Sequence, residues 1–396
     1  MKETRRIILQ IGLFILTVIT TTIAGAEWIY GKSVFDPAYT WDDFLSGFAF
    51  SIPMITILTV HEFGHYFVAL YHRVKTSLPY YIPIPPIPGL PIFSAGTLGA
   101  VIRMRSHPEN NLKHFDIGLA GPLAGFIVAV GFLIYGYATL PPADYVFQFH
   151  PEYEQYGANY ADVVYSQAHY NKIYAAEHPD SVRMGIDVVI GKSLIFQLAE
   201  QFVSDKSRIP NGHELMHYPV LLATFIALFI TSLNLLPIGQ LDGGHVVYGL
   251  FGYRGHRAIA TTFFIALFVY AGLGNEYIAF GQPPGEWLLK IALYGVFLFF
   301  AFGGLRRPVK ETVMIALLVL AFQLIMARIL PEVKGYFMWM VLGFILGRFI
   351  GVEHPRSEVE LPLNSTRVML GWLTLLIFIL CFSMMPVDAT IVTAER

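Results

Sequence analysis

The sequence predicts an all-α polytopic membrane protein, with about nine transmembrane helices, a membrane-associated β-hairpin segment and a small extracytoplasmic insert. Three observations predict it. Of 396 residues, 55% are hydrophobic and 14% are charged, whereas soluble domains carry about 25% charge. The apolar residues gather into runs near the roughly 20 residues that a helix needs to cross the hydrocarbon core. Finally, a proline-dense stretch, an alternating stretch and a long polar stretch interrupt those runs.

The spans expected are 7–25, 44–71, 115–140, 219–236, 258–273, 287–303, 312–330, 336–350 and 368–385. The first is basic at its start (Arg5, Arg6) and long for a signal peptide's apolar region. No small-residue cleavage site follows it, so a retained helix is the expectation. Residues 79–91 are too rich in proline for a regular helix. Residues 94–105 (SAGTLGAVIRMR) alternate small, β-branched and polar residues and predict a strand or hairpin.

Orientation follows from lysine and arginine. With the N-terminus cytoplasmic, one set of loops holds Arg5, Arg6, Arg73, Lys75, Arg103, Arg105, Lys113, Arg254, Arg257, Arg306 and Arg307. The opposite insert, 141–218, has ten acidic residues against five basic ones. This divides the chain into 1–140 (first part of a membrane core), 141–218 (extracytoplasmic insert), 219–257 (second part of the core) and 258–396 (additional helices). A net charge of −2 without a long basic tract points away from nucleic acid. The aromatic stock suits lipid-facing surfaces, and no organic cofactor is read from it. Cys381 is the only cysteine, so a metal site must use histidines and carboxylates.

The second span contains His61-Glu62-Phe63-Gly64-His65. On a helix, residues i and i+4 share a face, so His61 and His65 can present two imidazoles to one metal ion, with Glu62 able to reach a metal-bound water. Ionisable groups inside a membrane helix are costly and mark function by default. Zinc wants a third ligand and an open position. The best candidate is Asp242, in Asn234-Leu-Leu-Pro237-Ile-Gly239-Gln-Leu-Asp242-Gly243-Gly244-His245. Pro237 and Gly239 would break the fourth span there, and Gly243 and Gly244 would let the backbone bend sharply around Asp242. Such a break is tolerated at membrane depth only where it is buried or lines a wet cavity.

A second short match, His213-Glu214-Leu215-Met216-His217, lies in polar surroundings at the outer end of the fourth span. A helix from His217 to Asp242 would be roughly 38 Å long, too far for one shared ion. It reads as loop polarity or a helix start, with His217 a candidate at the substrate entrance. His245 reads as a polar residue near the cavity or a partner that orients a ligand. His114, His256 and His354 read as interfacial.

The two motifs resemble the site-2 protease family of intramembrane zinc metallopeptidases, with Gly118-Leu-Ala-Gly121-Pro-Leu-Ala-Gly125 resembling the family's glycine-rich core helix. The resemblance covers about residues 7–257. It implies one Zn2+ per chain held by His61, His65 and Asp242. Glu62 would then activate water, and Asn234 would polarise the scissile carbonyl or place the water. Transmembrane protein substrates would be held in extended form by the segment 79–105. The alternative is a metal-ion or solute transporter using the same His/His/Asp cluster as a midplane site. Residues 1–6 lack transit-peptide character, so the expected location is a bacterial cytoplasmic membrane, with the active site toward the cytoplasmic side.

Overall fold

The computed structural model describes residues 2–85, 95–106, 108–177 and 184–393. The chain is mostly helical: α1 (Lys2–Tyr30), α2 (Trp41–Ser46), α3 (Phe48–Tyr71), β1 (Tyr80–Pro83), β2 (Thr97–Val101), α4 (Asn111–Ala138), α5 (Tyr160–Val164), α6 (Gln167–Glu177), β3 (Met184–Ile190), α7 (Leu194–Gln201), α8 (Pro219–Asn234), α9 (Asp242–Ala271), α10 (Pro284–Phe302), α11 (Val309–Ile329), α12 (Met338–Ile345), α13 (Ser365–Cys381) and β4 (Val387–Thr393). Among the described residues, five helical segments are long and apolar enough to cross a membrane: Glu3–Tyr30, Trp41–Tyr71, Asn111–Ala138, Pro284–Leu305 and Val309–Ile329. Pro219–Asn234, Met338–Ile350 and Ser365–Cys381 are apolar but shorter. Two compact units divide the chain. One comprises Met1–Ser106, Ala120–Leu233 and Leu376–Arg396, and the other His107–Leu119 and Asn234–Leu375.

In the first unit, α1 satisfies its buried hydroxyls internally, as lipid requires. Thr17 donates to the Leu13 carbonyl (2.8 Å), Thr21 to Thr17 (2.7 Å) and Thr22 to Val18 (2.7 Å). Small residues then let helices approach closely. A Cβ on Gly47, between α2 and α3, would lie 1.9 Å from the Thr22 carbonyl oxygen. A capping box between Thr40 and Asp43 starts α2.

A strand is present within the expected stretch 94–105, and its partner comes from the proline-dense stretch before it. β1 and β2 pair antiparallel (Tyr80 with Val101, Tyr81 with Ala100, Pro83 with Thr97), with an irregularity between Tyr81 and Pro83. Residues 86–94, which include the last prolines and the start of the alternating stretch, lie outside the described residues. The hairpin rests on α1, where Gln10 donates to the Leu78 carbonyl (2.7 Å) and Thr20 to that of Gly96 (2.6 Å). Gly96, at φ 73°, could carry no side chain, because its Cβ would meet the Thr20 oxygen at 2.4 Å. On the other side, the Tyr81 hydroxyl lies 2.7 Å from that of Thr59, two residues ahead of His61 on α3.

The stretch 141–218 contains 3-10 turns, α5, α6, β3 and α7. Its strand β3 pairs along its length with β4, from Met184 opposite Thr393 to Ile190 opposite Val387. Lys192 pairs with Glu200, which also accepts from the Tyr137 hydroxyl of α4 (2.9 Å).

The second unit is a helical stack with an aromatic core of Phe264, Phe268 and Phe302. Buried Gln323 ties three elements, accepting from Tyr294 (2.9 Å) and donating to the Phe268 carbonyl (2.9 Å). α9 departs from expectation. The span at 258–273 is only the second half of a 30-residue helix that begins at Asp242, and a left-handed Gly252 (φ 65°) kinks it. Arg254 and Arg257 dilute the apolar signal ahead of residue 258, so hydropathy alone hides the first half.

Candidate metal centre

α3 places His61, Glu62 and His65 inside the first unit, at 4%, 5% and 7% exposure. The i, i+4 spacing puts the two imidazoles on one face, where they meet edge-on at 71° with their Nε2 atoms 3.1 Å apart. Two nitrogens bound tetrahedrally to zinc at about 2.0–2.1 Å would lie about 3.3 Å apart. The pair therefore fits such an ion with little adjustment.

The glycines of α4 make room for these rings. A Cβ on Gly121 would lie 2.1 Å from the Nε2 of His65, and one on Gly125 would lie 3.1 Å from the Cβ of His61. Facing them, a Cβ on Gly64 would meet the Ala120 carbonyl oxygen at 2.6 Å. The small-residue stripe thus clears a cradle for the two imidazoles as well as bringing two backbones together. The hairpin lies beside this cradle. Burial raises the pKa of the Tyr81 phenol, its bond to Thr59 offsets part of that, and the Glu62 carboxylate adds to the rise.

Asn234 and Asp242 belong to the second unit. Asn234 is the last residue of α8 and Asp242 the first of α9, where the helix's N-terminal peptide dipoles favour a carboxylate. Between them the backbone doubles back. The Ile238 amide donates to the Leu236 carbonyl (2.7 Å), and Gly239 adopts φ 56° while its amide donates to the Val352 carbonyl (2.9 Å). The helix break expected at Pro237 and Gly239 is therefore present. The sharp bend expected at Gly243 and Gly244 is not, because both are helical residues in the first turn of α9. Their hydrogens are needed for contact: a Cβ on Gly243 would lie 1.9 Å from the Leu235 carbonyl oxygen, and one on Gly244 would lie 2.3 Å from that of Gly239.

The same unit collects histidines that sequence reasoning treated singly. His245 Nδ1 lies 2.8 Å from His354 Nε2, and the His114 ring stacks on that of His245 at 5.2 Å. Tyr248 stacks on His354 at 4.3 Å and donates to Glu360 (2.9 Å). His354 and His256 are buried (1% and 0% exposed), which corrects the expectation that they sit at the interface. Each adjoins a basic or polar stretch in sequence, but long-range packing encloses them.

The motif 213–217 is not an amphipathic helix. Only Leu215–His217 is helical, as a single 3-10 turn, so His213 and His217 do not share a face. His213 turns to Asp187 (2.8 Å) and stacks on Tyr165. His217, by contrast, is buried against Phe149. Burial pushes the Glu214 carboxyl pKa up and that of His217 down to about 4.

A buried H-E-x-x-H pair in an apolar helix, cradled by glycines of a second helix and flanked by two paired strands, marks an integral membrane protein with a candidate metal centre. Comparison with known proteins agrees: the model of peptidase family M50 matches residues 49–273. The chain belongs to that family, the site-2 proteases. It is 26% identical over 226 residues to the probable zinc metalloprotease EGY1, chloroplastic, of Arabidopsis thaliana, covering 56% of this chain and 32% of that protein. It is 29% identical over 205 residues to the EGY1 protein of Oryza sativa subsp. japonica (50% and 27%). Against the EGY3 protein of Oryza sativa subsp. indica it is 21% identical over 306 residues (76% and 44%). The chain thus spans about a third or less of the length of the two EGY1 relatives. No solved structure matches it.

Proposed function

We propose that this chain is a zinc-dependent endopeptidase that hydrolyses peptide bonds in or near the transmembrane segments of membrane proteins. The observation that carries this reading is the buried imidazole pair, 3.1 Å apart beside Glu62 in an apolar helix. His61, His65 and Asp242 would hold one zinc ion. The placement of Asp242 at the opening of α9, after a broken helix, and the family's motif pattern support it as the third ligand. The ion, when bound, supplies a Lewis acid that lowers the pKa of water toward neutrality.

The remaining chemistry falls to the chain's own groups. Glu62 takes a proton from the attacking water and delivers it to the leaving amine. The Asn234 amide donates to the carbonyl oxygen as charge develops there. The β1–β2 hairpin offers backbone groups to a substrate strand, replacing the hydrogen bonds a substrate helix loses when it unwinds. The substrates would be membrane proteins within the bilayer. The transporter alternative finds no support in the family match.

Nine spans, the extracytoplasmic insert and the divisions at residues 140, 218 and 257 belong to the same proposal. The β3–β4 pairing supports the topology, because it puts residues 184–190 and 387–393 on one side of the membrane. An even number of crossings must then separate them. Among the described residues five apolar helical segments lie between them, Pro219–Asn234, Pro284–Leu305, Val309–Ile329, Met338–Ile350 and Ser365–Cys381, and the kinked α9 would have to supply the sixth crossing. The bias of arginine and lysine supports a cytoplasmic N-terminus. The expectation of a bacterial cytoplasmic membrane finds no support in the relatives, which are named as chloroplastic.

The test is cleavage of a labelled transmembrane peptide by the full chain in detergent. Cleavage that stops on chelation and returns with Zn2+ is the expected result. Cleavage indifferent to the chelator would overturn the reading.

A further inference from the structure

We propose a second zinc site, formed by His150, Glu214 and His217, that ties the start of the 141–218 stretch to its end, just ahead of α8. Three electron-pair donors converge there. His150 Nε2 and His217 Nε2 lie 3.2 Å apart, and Glu214 Oε2 lies 3.5 Å from the second and 3.9 Å from the first. A tetrahedral ion with bonds of about 2.0–2.1 Å would set its ligands about 3.3 Å apart. Two imidazoles and one carboxylate, with a fourth position open, form an ordinary zinc set.

The hydrogen bonds around the cluster fix which atoms are available. His217 Nδ1 donates to the Ile29 carbonyl (2.7 Å), which can only accept, so its Nε2 carries a lone pair. His150 Nδ1 faces Glu152 Oε1 at 3.4 Å, and a carboxylate likewise favours the proton on Nδ1. Glu214 is 1% exposed. Its Oε1 accepts from the Tyr165 hydroxyl, while its Oε2 is buried with no hydrogen-bond partner among the described residues. A buried carboxylate oxygen facing two imidazole lone pairs is costly unless a cation neutralises it. The rings are also held in place: His217 stacks on Phe149 at 4.2 Å and His150 on Tyr153 at 4.5 Å. Such supporting contacts are what orient metal ligands. A cleft of about 650 Å³, lined by His150, His217, Tyr145 and Phe149, gives the ion a path from solvent. His213, the first histidine of the local H-E-x-x-H, turns to Asp187 instead, so the site is not a helical zincin pair.

The experiment counts zinc on the full chain purified in detergent and equilibrated with Zn2+ alone. His150→Ala removes a half-buried side chain, and Glu214→Gln keeps the shape and the tyrosine bond. Each variant is expected to lose about one zinc per chain relative to the parent, with an unchanged gel-filtration profile. His61→Ala is expected to leave that ion in place. This inference does not depend on the proposed peptidase centre: if that reading fails, the parent still binds the zinc that His150→Ala removes. Zinc content unchanged in both His150→Ala and Glu214→Gln would overturn it.

Discussion

His65 and Gly121 stand in a key-and-slot relation: the imidazole's Nε2 occupies the space, 2.1 Å away, where any side chain at residue 121 would begin. The glycine stripe of α4 is thereby tied to the geometry of the imidazole pair, and not only to helix contact. A methyl group there would also meet the Cδ2 and Cε1 atoms of His65 at 2.4 and 2.5 Å, so the ring would have to leave its place beside His61.

Gly121→Ala is therefore expected to displace the His65 ring or part α3 from α4. Zinc affinity at the peptidase centre should fall by about 10–100-fold, with peptide cleavage falling alongside it. The check is zinc titration of the variant beside the parent in a His150→Ala background. Affinity within twofold of the parent would contradict the cradle.

Asp242→Ala tests the third ligand. With two imidazoles left, zinc should bind at least about 100-fold more weakly and cleavage should be lost. Asp242→Glu is expected to recover part of the binding. Unchanged affinity in Asp242→Ala would remove this carboxylate from the centre.

Tyr81→Phe probes the hairpin. The change deletes the bond to Thr59 that pins β1 beside α3. A loss of about 1 kcal/mol is expected, read as a several-fold rise in KM for a transmembrane peptide with zinc content unchanged. A fall in zinc content with KM unmoved would place the tyrosine in a different role.

Much of this was legible from local pattern. H-E-F-G-H declares itself because the i, i+4 rule is local and the surrounding apolar run makes three polar groups conspicuous. Pro237 and Gly239 announced a helix break for the same kind of reason. What stayed hidden was set by contacts between distant residues. β3 pairs with β4 some 200 residues later, and neither strand carries a turn signal pointing to the other. Gly243 and Gly244 looked like bend residues, yet serve close packing against Leu235 and Gly239, a distinction that needs the neighbouring backbone. His354 reads as interfacial beside Glu353 and Arg356, and only the fold reveals it buried against Tyr248 and His245. The 213–217 motif misled in the opposite way. Its spacing suits a helix that the chain does not form, while its true neighbour, His150, lies over 60 positions earlier.

The claim at the centre of the account is that Glu62 moves a proton in peptide hydrolysis beside a metal held by its neighbours. The most direct measurement compares the parent and Glu62→Gln on one labelled transmembrane peptide, with bound zinc quantified in the same samples. The account predicts equal zinc in both and cleavage lowered by about 10²–10⁴-fold in the variant. Equal zinc with equal cleavage would contradict it.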